Sequence, residues 1–129
     1  MTKSYEFTGE TKILNNEITL KRIRAIRDIG TDVKAGDLGG WIEKESNLSD
    51  NAWVFDNAEV FNNAEVYDNA RVYDNAEVYG NARVYGNARV YGDAKVYGDA
   101  KVFRYTWIDK IISILVAYKR GGFKNVFKK

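Results

Sequence analysis

The chain has 129 residues, 45% of them apolar, which suits a single domain with a modest core. Cysteine, histidine and proline are absent, which excludes disulfides, thiolate chemistry, an imidazole general base and histidine metal ligands. Twenty basic against eighteen acidic side chains leave a net charge of +2, which argues against a histone-like or wholly DNA-mimicking surface.

The first twenty residues contain Lys3, Glu6, Glu10, Lys12 and Glu17, so no apolar core of a signal peptide fits among them. Residues 1–38 read as an N-terminal cap. Tyr5–Phe7 is a short strand candidate, and Glu17–Ile26, rich in β-branched residues, is a second. Lys34-Ala-Gly-Asp-Leu-Gly-Gly is a turn cluster leading to Trp41, which is expected to plug the body that follows.

From Asn51 the chain reads NAWVFD, NAEVFN, NAEVYD, NARVYD, NAEVYG, NARVYG, NARVYG, DAKVYG and DAKVFR, nine consecutive hexads ending at Arg104. Position two is always Ala, position four always Val and position five always Phe or Tyr. Two degenerate hexads, GGWIEK and ESNLSD, carry the register back to Gly39 and put Ile42 and Leu48 at the Val position. Ala and Val stand two apart, so in a strand both face the same side, and the charged or Trp residue between them faces the other. The junctions D-N, N-N, G-N and G-D tolerate left-handed backbone. A short strand and a bend every six residues make a three-sided coil of 18 residues, and successive coils stack as parallel strands. The expected fold is mainly β: a left-handed parallel β-helix over 39–104, its narrow interior filled by Ala and Val.

Residues 18 apart lie one above another. The aromatic columns are therefore Phe55–Tyr73–Tyr91, Phe61–Tyr79–Tyr97 and Tyr67–Tyr85–Phe103. Glu65 stacks favourably on Arg83, Glu59 stacks on the like charge of Glu77, and Trp53–Arg71–Arg89 form a column. Asp56 and Asp74, stacked at one corner, could hold a hard cation weakly, although solvated turn residues are the better reading.

Residues 105–129 read as a short C-terminal helix and basic tail, for capping or oligomerisation. Ile108, Ile111, Ile112 and Leu115 fall at helical spacing after Trp107, and a strand hairpin turning at Gly121-Gly122 is the alternative. With Trp107 they form the candidate contact of a homodimer or homotrimer. The tail interleaves Lys119, Arg120, Lys124, Lys128 and Lys129 with Phe123 and Phe127, a pattern that suits single-stranded nucleic acid but favours it less than partner docking. Net charge is +1 over 1–44, −4 over 45–104 and +5 over 105–129.

The hexads resemble the hexapeptide-repeat superfamily, best known for acyltransferases, but carry an aromatic where that superfamily usually has a small or acidic residue. The opening Tyr5-Glu-Phe-Thr-Gly-Glu-Thr, then Arg22-Ile-Arg-Ala-Ile-Arg-Asp, Gly36-Asp-Leu-Gly-Gly-Trp-Ile-Glu and the NA-x-VYG repeats, is similar to a group of small phage and prophage proteins often labelled transferases. That resemblance covers about residues 4–104. It implies a bacterial cytoplasm and a role in disarming host defence, for example by blocking a CRISPR effector. Acyl transfer in the superfamily usually needs a histidine base, which is missing. The expected function is therefore a non-catalytic protein binder without cofactor or metal. Candidate contact residues are Glu59, Glu65 and Glu77, facing a basic site, with Tyr67, Tyr73, Tyr79, Tyr85 and Tyr91. Alternatives are an acyltransferase-like protein holding a nucleotide or coenzyme A, and nucleic-acid binding through the tail.

Overall fold

The computed structural model describes residues 3–109. Each of the nine regular hexads contributes a two-residue strand, β4 (Trp53–Val54), β5 (Glu59–Val60), β6 (Glu65–Val66), β7 (Arg71–Val72), β8 (Glu77–Val78), β9 (Arg83–Val84), β10 (Arg89–Val90), β11 (Lys95–Val96) and β12 (Lys101–Val102), and a further strand, β13 (Trp107–Ile108), follows them. They are preceded by β1 (Tyr5–Leu14), β2 (Ile18–Ala25) and β3 (Leu38–Ile42). Three sheets form three walls, in the orders β1-β2-β3-β5-β8-β11, β4-β7-β10-β13 and β6-β9-β12. Within the coils every pairing is parallel and spans 18 residues, as in Trp53↔Arg71 and Glu65↔Arg83. The degenerate hexads keep this register, with Ile42 opposite Val60 and Leu48 opposite Val66.

The interior is the one the hexads imply. Every Ala at position two and every Val at position four, from Ala52 to Val102, is buried. Coil joins coil through regular backbone bonds, such as Glu59 N–H to the Ala76 carbonyl at 3.0 Å and Phe61 N–H to Val78 at 3.0 Å.

The corners have one geometry. Position six takes positive φ in each hexad, from Asp50 (57°) and Asp56 (53°) through Gly80 (71°) to Arg104 (59°). A turn bond closes each bend, as in Ala58 N–H to the Phe55 carbonyl at 3.0 Å. Asp, Asn and Gly adopt this conformation at low cost, whereas an arginine is strained there. Replacing Arg104 by glycine is therefore expected to raise the unfolding free energy by about 0.5–1 kcal/mol, read from urea midpoints at constant slope. An unchanged or lower midpoint counts against strain at that corner.

The N-terminal cap is a sheet extension. β1 and β2 pair antiparallel from Tyr5↔Ala25 to Leu14↔Ile18, and β2 pairs antiparallel with β3, which begins the first wall. The first strand is longer than Tyr5–Phe7 implied, and Leu38, Gly39 and Gly40 of the expected turn cluster belong to β3. Trp41 is not the plug. It lies outside the coil in a small cluster with Leu20 and Phe61, with the Lys12 ammonium 4.5 Å and the Arg22 guanidinium 5.3 Å from its ring. Ile23, Ile29 and Val33 close the interior instead, in one cluster with Ala52 and Val54. Asn47, in a 3-10 turn, completes the first coil where the third wall has no full strand. Its Oδ1 accepts from the N–H groups of Glu43 and Lys44, and its Nδ2 donates to the carbonyls of Asn62 and Ala64.

Tyr5 is buried beneath this cap and donates to the Glu45 carbonyl at 3.4 Å. Burial, with the nearby Glu45 charge, pushes its hydroxyl up to about 12. The folded value lies above the unfolded one of about 10, so the contribution is whole below pH 10 and is lost as pH rises through the folded value. Wild type is expected to lose stability between pH 10 and about 12 by more than a Tyr5→Phe variant does. Parallel alkaline titrations of the two would exclude this role for Tyr5.

At the other end the coil register runs on past Arg104. Trp107 and Ile108 form β13, paired with Arg89 and Val90, and do not open a helix. Ile108 fills the coil interior at 0% exposure and cannot be an oligomer contact, whereas Trp107 points outward. The hexad phase explains this, because Thr106 and Ile108 stand at the small and aliphatic positions. Ile111, Ile112, Leu115, the rest of the expected helix, and the tail residues Lys119, Arg120, Lys124, Lys128 and Lys129 lie outside the described residues.

Candidate functional site

With methyl groups inside, chemistry is confined to the outer face, and position three supplies it. The first wall presents Trp41, Glu59, Glu77 and Lys95; the second Trp53, Arg71, Arg89 and Trp107; the third includes Glu65 and Arg83. The three candidate carboxylates do not share a face. Glu59 and Glu77 stack on the first wall, whereas Glu65 is on the third. Each is already answered within the chain. Glu59 meets Lys12 of the cap at 2.8 Å, Glu77 meets Lys95 at 3.3 Å, and Glu65 lies 3.9 Å from Arg83.

The tyrosines form three ridges at the expected spacing. Phe61–Tyr79–Tyr97 stack at 5.0 and 5.3 Å, and Tyr67–Tyr85–Phe103 at 5.0 and 5.5 Å, all within 14° of parallel. Burial raises the Tyr67 and Tyr79 hydroxyls above the ordinary tyrosine value, so these ridges meet a partner uncharged at neutral pH. In the remaining column Phe55 and Tyr73 stack at 4.9 Å, but Tyr73 and Tyr91 meet edge to face at 6.4 Å and 82°.

Beside that break lies the second wall. Trp53 is completely buried where the β3 backbone passes over its ring, and Asp32 of the cap loop takes Arg71 in a bidentate pair at 2.9 and 3.1 Å. One coil further, Arg89 donates to the Tyr73 hydroxyl and lies 6.0 Å from the Tyr73 ring and 5.5 Å from the Trp107 ring. Tyr73, Asp74, Arg89, Tyr91 and Trp107 line a shallow groove there. The Trp53–Arg71–Arg89 column is visible in the sequence; the cap loop that divides its members is not.

A corner role for acidic side chains was also hidden. Asp50, Asp68 and Asp74 each accept the backbone N–H of the residue one coil above, Asp68, Gly86 and Gly92, at 3.0, 3.0 and 2.8 Å. These carboxylates are corner acceptors, and among the described residues no group of three or more potential metal ligands gathers. Every buried side-chain nitrogen and oxygen among the described residues has a hydrogen-bond partner.

The structure thus defines the chain as a parallel β-solenoid with an N-terminal β cap. The family described as YdcK Beta solenoid repeat matches it at residues 64–80, 76–92 and 82–98, within the regular hexads, and that description names a repeat and no reaction. No curated protein matches the chain. No helix among the described residues is long and apolar enough to cross a membrane.

Proposed function

We propose that the chain is a non-catalytic scaffold that binds a protein partner through its outer walls and aromatic ridges. The observation that carries this reading is the set of three aromatic ridges, held one coil apart around an interior made mainly of Ala and Val. Tyrosine provides large contact area at little entropy cost, and ridges already stacked lose little freedom on binding. The stacks also stabilise neighbouring coils, and the two roles are compatible.

The finer reading is a phage-type protein of the bacterial cytoplasm that blocks a host-defence component such as a CRISPR effector. It rests on the resemblance of residues 4–104. The assembly proposed for it is a homodimer or homotrimer. Affinity capture from bacterial lysate with mass spectrometry, beside light scattering of the purified chain, tests partner and assembly together. Expression in a bacterium with active CRISPR immunity, followed by phage challenge, tests the defence role. Restored plaques support it, and undiminished immunity removes it.

Two results would redirect the assignment. Micromolar binding of acetyl-coenzyme A in calorimetry would favour the acyltransferase-like alternative. A salt-dependent gel shift lost on truncation at Tyr118 would favour nucleic-acid binding through the tail.

A further inference from the structure

We propose that the groove formed by Tyr73, Arg89, Tyr91 and Trp107 takes a single carboxylate presented beside an aromatic residue, in an otherwise uncharged segment of the partner protein. The inference rests on the protein-binding reading and names its surface and chemistry.

The second wall shows why Arg89 is singled out. Three residues of this column are accounted for by the cap or by exposure: Trp53 is buried, Arg71 is neutralised by Asp32, and Trp107 stands 57% exposed. Arg89 lies beyond the pair that Asp32 makes with Arg71, and among the described residues no carboxylate comes within ion-pair distance of it. Its guanidinium is braced by the Tyr73 and Trp107 rings and by the Tyr73 hydroxyl, so its direction is set before any ligand arrives. One of its five N–H donors is used in that contact, and a carboxylate matches the geometry of the rest.

The aromatic geometry agrees. Five of the six ladder contacts are stacked at 4.9–5.5 Å, and the exception is the Tyr73–Tyr91 step at this groove. Tyr73 serves Arg89 there and gives up its stack on Tyr91. The outcome is an oriented cation flanked by Tyr91 and an exposed indole, which suits a carboxylate with an adjacent ring.

Charge complementarity selects a peptide over a nucleic acid. Asp74 lines the groove, and the neighbouring corner adds Asp56 and Asp93. A strand of phosphates laid along this wall would meet those carboxylates, whereas one carboxylate seated on Arg89 need not.

The test is nuclear magnetic resonance of the ¹⁵N-labelled full chain, following the Arg89 Nε–H and Trp107 indole N–H signals. The probe is the blocked tetrapeptide Gly-Glu-Tyr-Gly, with Gly-Gln-Tyr-Gly as the neutral control. The glutamate peptide is expected to shift both signals to saturation, with the glutamine peptide and the Arg89→Gln variant each binding roughly fivefold more weakly or worse. Arg89→Lys should recover part of the affinity. Equal binding of the two peptides, or Arg89→Gln binding like wild type, overturns the proposal. Should Arg89→Gln fail to fold, Trp107→Ala, altered at an exposed site, decides in the same way. Oligothymidylate shifting these signals at lower concentration than the glutamate peptide assigns the groove to nucleic acid and also overturns it. A partner captured equally by wild type and Arg89→Gln removes the groove but leaves the protein-binding reading. Specific peptide binding with no partner captured keeps the groove and removes the broader reading.

Discussion

Replacing Trp53 by alanine is expected to lower the unfolding free energy by about 3–5 kcal/mol, the range for deleting a fully buried tryptophan. Trp53 is 0% exposed although it occupies the outward position of its hexad. The cap makes this possible, because the β3 backbone passes so close that a Cβ on Gly39 would stand 2.7 Å from the Trp53 ring. Trp107 provides the internal comparison. It occupies the same hexad position on the same wall but is 57% exposed, so Trp107→Ala should cost under about 1 kcal/mol. Urea unfolding of both variants measures the difference. Similar losses would mean that the cap does not bury Trp53 in solution.

Replacing Asp32 by asparagine is the second large effect. Arg71 is only 6% exposed, and besides Asp32 it donates to the carbonyls of Asn51, Asn69 and Ala70. Asp32→Asn leaves that guanidinium buried without a countercharge. A wholly buried pair would lose about 3–5 kcal/mol, but the Asp32 side chain is 40% exposed, so about 2 kcal/mol is expected. The hydrogen bonds and charge of Arg71 hold the Asp32 carboxyl below the ordinary carboxylate range. A depressed folded value stabilises above the unfolded value of about 3.9 and is lost as pH falls through the folded one. The gap between wild type and Asp32→Asn should therefore be full at pH 6 and narrow as the solution is acidified below about pH 4. A gap that persists unchanged into strong acid would remove the ion pair as its cause.

Both effects come from the cap, where the sequence was least informative. Position three reads as an outward site in every hexad, and Trp53, Arg71 and Trp107 look alike by that rule. The β3 backbone against Trp53 and the loop from 26 to 37, whose Asp32 pairs with Arg71, separate buried from exposed among them. Asn47 carried no signal either, because its four partners are backbone groups brought together by the first coil. The segment beginning at Trp107 held two periods at once. Its apolar residues fit a helical stripe, while Thr106 and Ile108 also continue the hexad. At Trp107 and Ile108 the edge of β10 settles the matter, since a strand there gains a ready-made pairing surface that an isolated helix turn lacks.

The repeat alone determined the coil of 18 residues, the Ala and Val interior, the corners and the pairing within each aromatic ridge. Each depends on residues at a constant separation along the chain, so local pattern and three-dimensional contact coincide. Tertiary structure decided which outward residues are covered, which charges are already neutralised, and that among the described residues no carboxylate lies within ion-pair distance of Arg89. Those outcomes depend on distant segments, the hairpin and its following loop, meeting the coils at separations that no period encodes.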